Sequence, residues 1–144
     1  MFYYYYYFYI VHGKPIRAIV CGDSAGGNLS CAITVKAIQD KILPPVGLLL
    51  HYPAVNLNND ASLSRMIFSH DPILNLETMQ CVLDCYLGKD KDKSGLDPLI
   101  SPLFAPDEIL SKFPNTVISV GDVDPLIDDS TALFRKLEVK KKKK

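Results

Sequence analysis

The chain has 144 residues, with 16 basic side chains against 16 acidic ones and a formal net charge of zero. That is one domain at most, and a balanced charge offers no electrostatic footprint for nucleic acid or for a strongly acidic partner. With 48% apolar and 22% charged residues, the composition is that of an ordinary soluble globular protein.

Residues 1–14 form an aromatic low-complexity segment that opens MFYYYYYFYIV. It is too short to span a bilayer, and it lacks the basic leader and small-residue cleavage site of a signal peptide, so no transmembrane segment is expected. Residues 16–21, apolar and β-branched, predict a strand. Residues 25–40 predict a helix, with Leu29, Ala32, Ile33, Ala37 and Ile38 at helical spacing. After the Pro44-Pro45 stop, residues 47–52 (GLLLHY) predict a second strand, and residues 53–71 have no regular pattern. An amphipathic helix is expected over 76–87, ended by Gly88 and a lysine/aspartate stretch. Residues 101–114 form a proline-punctuated connection with a helical turn at 107–112. A third strand follows at 116–120 and a last helix at 125–138, and the lysines at 140–144 read as a solvated tail. Three strands alternating with helices predict an α/β fold, a parallel sheet flanked by helices over residues 15–139.

The four cysteines show no metal-ligand spacing. Cys21 ends a predicted buried strand, and Cys81 and Cys85, four apart on one helix, suit shared burial. Free thiols fit a reducing, cytoplasmic setting.

Gly22-Asp23-Ser24-Ala25-Gly26-Gly27 lies between the first strand and the first helix. Strand, Gly-x-Ser-x-Gly turn and helix together form the context of a nucleophile elbow, in which a serine on a tight turn presents its hydroxyl. Gly22 and Gly26 are expected to leave room where a Cβ would meet neighbouring strand and helix. The Ala25 N–H would face the oxyanion of a tetrahedral intermediate, assisted by the positive end of the helix. The plainer alternative is a helix start at which Asp23 or Ser24 serves only as N-cap.

A serine nucleophile needs a histidine to take its proton and a carboxylate to fix that histidine. On such a sheet the acid follows a strand's carboxyl end. Of three Asp-Pro steps, at Asp71, Asp97 and Asp124, only Asp124 directly follows a strand, and Pro125 then suits a helix start. Asp124 is therefore the candidate acid, with an N-cap role as its alternative. Asp122, Asp128 and Asp129 read as first-turn helix charges. His12, His51 and His70 all precede Asp124 and none follows it, so no residue fits the base. His51 reads as a supporting or core residue. His12-Gly13-Lys14-Pro15 lies directly against the first strand and is not the His-Gly-Gly-Gly loop that often supplies a second oxyanion donor.

These motifs resemble the hormone-sensitive lipase family of α/β-hydrolase esterases. Gly22-Asp23-Ser24-Ala25-Gly26-Gly27-Asn28-Leu29 matches its elbow. Tyr52-Pro53-Ala54 and Asp71-Pro72-Ile73-Leu74 resemble the segments that follow. So do Ser101-Pro102-Leu103-Phe104-Ala105-Pro106-Asp107 and Asp124-Pro125-Leu126-Ile127-Asp128-Asp129-Ser130, which stand closer to hormone-sensitive lipase than to arylacetamide deacetylases or bacterial esterases. The resemblance implies a partial α/β-hydrolase fold with Ser24 as nucleophile, Ala25 as oxyanion donor and Asp124 as triad acid. It implies hydrolysis of ester lipids, acylglycerols or sterol esters, through a serine acyl-enzyme, with no metal or organic cofactor, and lipid-droplet association as an option. A complete sheet of this kind takes well over about 200 residues, so the chain reads as a fragment truncated at both ends, with an incomplete core and an unpaired sheet edge. Without the downstream histidine and the upstream loop it is expected to be nearly inactive alone. The connection over 53–100 is short beside the family's long regulatory insertion, so phosphoregulation is not carried over. The alternative is a non-catalytic acyl-binding or regulatory module. A membrane-surface binder, through the aromatic head and lysine tail, is weaker.

Overall fold

The computed structural model describes residues 17–58, 62–88 and 95–141. The aromatic head, His12 and the last three lysines lie outside the described residues. Three strands form one parallel sheet in chain order: β1 (Ile19–Asp23), β2 (Gly47–His51) and β3 (Asn115–Ser119). The register is in line throughout, so Asp23, His51 and Ser119 are Cα partners at a common carboxyl edge. Each strand starts or stops within a few residues of its expected position. β1 starts three residues later than expected and runs on to Asp23, because its pairing with β2 begins at Ile19 opposite Gly47.

Helix α1 (Ala25–Gln39) crosses from β1 to β2 and lays Cys31, Val35 and Ile38 on the sheet. Alternation along β2 aims Leu48 and Leu50 into that core, where both are 1% exposed. Val55, Leu103, Leu110, Phe113, Leu133 and Leu137 complete it. Two buried hydroxyls in α1 are satisfied one turn back: Ser30 Oγ donates to the Gly26 carbonyl and Thr34 Oγ1 to the Ser30 carbonyl, both at 2.8 Å.

Among the described residues four further helices follow: α2 (Leu63–Ile67), α3 (Leu76–Leu87), α4 (Asp107–Leu110) and α5 (Ile127–Lys141), with a 3-10 turn at Pro102–Phe104. Helix α2 falls inside the stretch expected to be irregular. Helix α3 has the expected bounds, with Asn75 Oδ1 accepting from the Thr78 N–H at its start and Gly88 at φ 66° at its end. Met79 and Leu83 of α3 pack with Leu126 in a second small cluster.

The other face of the sheet is uncovered among the described residues. Ile19 (63% exposed), Cys21, Leu49 and Val117 (61%) lie on it. β1 and β3 each pair on one side only among the described residues, so the expected open edge is present. The cysteine expectation is corrected in part. All four thiols are free, but Cys21, Cys81 and Cys85 are exposed. Cys21 points to the uncovered face, and α3 buries its Met79 and Leu83 side instead of its cysteine side.

Candidate active site

Ser24 stands between the last residue of β1 and the first of α1, with φ 50° and ψ −118°. An L-residue in this region carries strain of about 1–3 kcal/mol, which persists only when the surroundings impose it. The Ser24 N–H donates to the His51 carbonyl (2.9 Å), and its own carbonyl accepts from the N–H groups of Asn28 (3.1 Å) and Ala54 (3.2 Å). Backbone bonds to three segments therefore fix the turn, and the Ser24 side chain makes no capping bond. That removes the reading of Ser24 as a simple N-cap.

The glycines explain how so tight a turn packs. A Cβ on Gly22 would lie 2.2 Å from the Gly26 carbonyl oxygen, and one on Gly27 would lie 2.6 Å from Pro53 Cβ. Gly27 thus adds a close approach to the one at Gly22, and Gly26 supplies the carbonyl that Gly22 must clear. Asn28, quoted above only as part of the motif, has a structural task of its own. It is 3% exposed, and its amide donates to the carbonyls of Ala54 and Ile100, both at 2.7 Å. One side chain so ties the loop after β2 to the loop before the 3-10 turn. Nothing in the Gly26-Gly27-Asn28 run marks this role, because its partners lie 26 and 72 residues away.

Ala25 opens α1, where the first-turn N–H groups have no partner within the helix. Ser24 and Ala25 are among the residues lining a cavity of about 280 Å3. Its wall is mainly apolar: Leu29 from α1, Met79, Val82, Leu83 and Tyr86 from α3, and Leu126. Asn28, Asn56 and Arg65 are the polar members of the lining besides Ser24.

Asp124 is half-buried, five residues beyond the end of β3. Its Oδ1 accepts from the Leu126 N–H (2.8 Å) and its carbonyl from Ile127 (3.1 Å). Ser24 and Asp124 thus follow strands β1 and β3 at the same edge of the sheet, with β2 between them. His51 closes β2 between them. It is exposed on the uncovered face, with Nδ1 2.6 Å from Ser119 Oγ. His70 is exposed in the turn after α2.

Asp128 and Asp129 stand in the first turn of α5 as expected, whereas Asp122 lies in the turn before Asp124, outside the helix; both helix carboxylates also have partners on α2. Asp128 is exposed and its Oδ2 accepts from the Ser64 N–H (2.8 Å). Asp129 is 3% exposed and forms a buried ion pair with Arg65 of α2 (2.6 Å). Desolvation pushes its carboxyl above the ordinary value, and the Arg65 guanidinium and the Asn56 amide pull it partly back. It is a structural partner across 64 residues and not a solvated helix charge.

A strained serine turn at the carboxyl edge of a parallel sheet, beside an apolar cavity, defines the class as an α/β-hydrolase. A profile of the alpha/beta hydrolase fold matches residues 10–144, and the chain belongs to that family, within its hormone-sensitive lipase group of esterases. An esterase of Acinetobacter venetianus is 35% identical over 125 residues, 87% of this chain and 40% of that one. Human hormone-sensitive lipase is 37% identical over 82 residues, 56% of this chain and 8% of that one. Carboxyl esterase 2 of Tuber melanosporum superposes with a TM-score of 0.79 at 32% identity, covering 85% of this chain and 39% of that one. The chain thus spans about 40% of the length of the esterases it matches.

Proposed function

We propose that this chain carries the nucleophile and acid part of a carboxylester hydrolase that acts on ester lipids, acylglycerols or sterol esters. The observation that carries the reading is Ser24, held at φ 50° in the lining of a mainly apolar cavity. In the proposed reaction Ser24 Oγ bonds to the ester carbonyl carbon and loses its proton to a base. The oxyanion is met by the Ala25 N–H, and the tetrahedral intermediate expels the alcohol, which takes that proton. Water then attacks the acyl-enzyme, releasing the carboxylic acid and restoring Ser24. The acyl chain would lie along the α3 wall, where its burial supplies binding without polar specificity. Asp124 would fix the base, its Oδ2 having no partner among the described residues.

No histidine follows Asp124 in these 144 residues, so turnover by the chain itself is expected to be slow. Loss of the base typically removes several orders of magnitude from the rate, leaving a residue due to the oxyanion site and binding. Added imidazole should restore part of it. The test measures hydrolysis of a 4-nitrophenyl ester with and without imidazole, for the chain and for Ser24→Ala, with mass spectrometry of the acylated serine. Imidazole-dependent turnover above the Ser24→Ala background, with acyl mass on Ser24, is the expected result. Equal rates in both proteins and no acyl adduct would overturn the catalytic reading and leave acyl binding as the function of the cavity.

A further inference from the structure

Among the described residues, Arg65 is the only buried basic side chain, 4% exposed on the five-residue helix α2. Its Nη2 donates to Asp129 Oδ2 (2.6 Å) and, through a short contact, to the Asn56 carbonyl, and Nη1 donates to the Asn58 carbonyl (3.3 Å). Asn56 Nδ2 donates to the other oxygen of Asp129 (3.1 Å), so both carboxylate oxygens are engaged. The neighbouring Ser64 acts in the same direction. Its N–H donates to Asp128 Oδ2 and its Oγ to the Pro125 carbonyl, both at 2.8 Å.

Two adjacent residues of α2 thus grip Pro125, Asp128 and Asp129, the first, fourth and fifth residues after Asp124. The same Arg65 holds Asn56, two residues beyond Ala54, whose N–H is bonded to the Ser24 carbonyl. The network runs from the serine turn to the aspartate turn around the end of β2. A buried ion pair seldom stabilises more than apolar side chains of the same volume would. What an arginine fork adds is fixed orientation, because its donors are planar and set at defined angles.

We infer that Ser64 and Arg65 form a positioning clasp that holds the Asp124 turn in a set geometry relative to the Ser24 elbow. This rests on the reading of Asp124 as triad acid. Arg65 is a positioning residue here: it acts on Asp124 through Asp129 and Asn56, and Ser64 acts through the Pro125 carbonyl.

The Leu126 amide reports directly on the held geometry, since it donates to Asp124 Oδ1. In the full chain, 15N-labelled, it should exchange slowly with solvent. Three variants test the clasp: Arg65→Lys, which keeps charge without the fork; Ser64→Ala, which deletes one hydroxyl; and Arg65→Met with Asp129→Leu, which removes both charges. In variants whose β2 amides remain as in the parent, Leu126 exchange should rise on the order of tenfold or more. Arg65→Lys should restore part of what the charge-free pair loses. If the charge-free pair does not fold, Ser64→Ala decides alone, because it leaves the ion pair intact. Folded variants in which Leu126 exchange matches the parent would overturn the clasp. A parent chain that never acylates Ser24 while Leu126 responds as expected would instead sink the hydrolase reading and leave the clasp standing as structure.

Discussion

Ser24, Gly22 and Cys31 make their contributions through the volume immediately around them. The strained φ of Ser24 is affordable because Gly22 lets the Gly26 carbonyl approach and because His51 and Ala54 hold the serine's backbone from both sides. Beneath the same turn, Cys31 is fully buried and its thiol is pushed up to about 12 by desolvation, so almost none of it is thiolate at neutral pH. Cys21, Cys81 and Cys85 are exposed, and the neighbouring Cys81 thiol raises that of Cys85. Three thiols per chain should therefore react with an alkylating reagent at neutral pH, Cys85 more slowly than an isolated exposed thiol. The fourth should react only after denaturation. Mass spectrometry of the labelled native chain checks this, and labelling of native Cys31 at a rate like that of Cys21 would mean that α1 is not seated on the sheet. The serine's surroundings were legible because elbow geometry is local, from strand to glycine turn to helix within a dozen residues. Arg65 was not legible, since its importance comes from Asp129, 64 residues away, and nothing adjacent to it marks it as buried.

At the scale of elements, α1 and α3 contrast. Both were read from periodicity, and α3 has the bounds that its apolar spacing and Gly88 predict. The sequence pattern puts Cys81 and Cys85 on the covered side of α3, but apolar residues at Met79 and Leu83 offer another face at the same helical spacing. The structure uses Met79 and Leu83 as anchors and leaves Leu76, Val82 and Tyr86 more than half exposed. α2 escaped notice because it is only five residues long and rests on tertiary bonds instead of on propensity. A wall held by two side chains should be easy to reshape. Leu83→Ala removes one anchor, with an expected cost of about 2 kcal/mol, at the low end for buried leucine because the site already borders a cavity. The same change lengthens the space facing Ser24. Thermal unfolding should show the loss, and in the imidazole-assisted assay preference should move from short toward longer acyl esters. A lower Tm with no change in chain-length preference would remove α3 from the acyl wall.

At the scale of the whole molecule, the sheet is the feature most at odds with the habits of its class. Parallel sheets in α/β proteins are covered on both faces, because crossover helices pack on each side. Here α1 and α5 cover one face, and among the described residues the other presents Ile19, Leu49 and Val117 to solvent, with β1 and β3 unpaired at their outer edges. The alternation that makes Leu48 and Leu50 core also makes Leu49 and its neighbours on β1 and β3 a contiguous apolar strip. Such strips and open edges favour association between chains. The isolated 144-residue chain should self-associate as its concentration rises, visible as growing scattering mass. Val117→Lys places a charge in the middle of β3 on the bare face, where it meets no core residue, so stability should change little while association falls. Analytical ultracentrifugation of both proteins, with thermal unfolding alongside, decides the matter. Association that persists unchanged in a folded Val117→Lys chain would shift attention to the exposed apolar side chains of α2 and the turn after it, where Leu63, Met66, Ile67 and Ile73 form the other candidate surface.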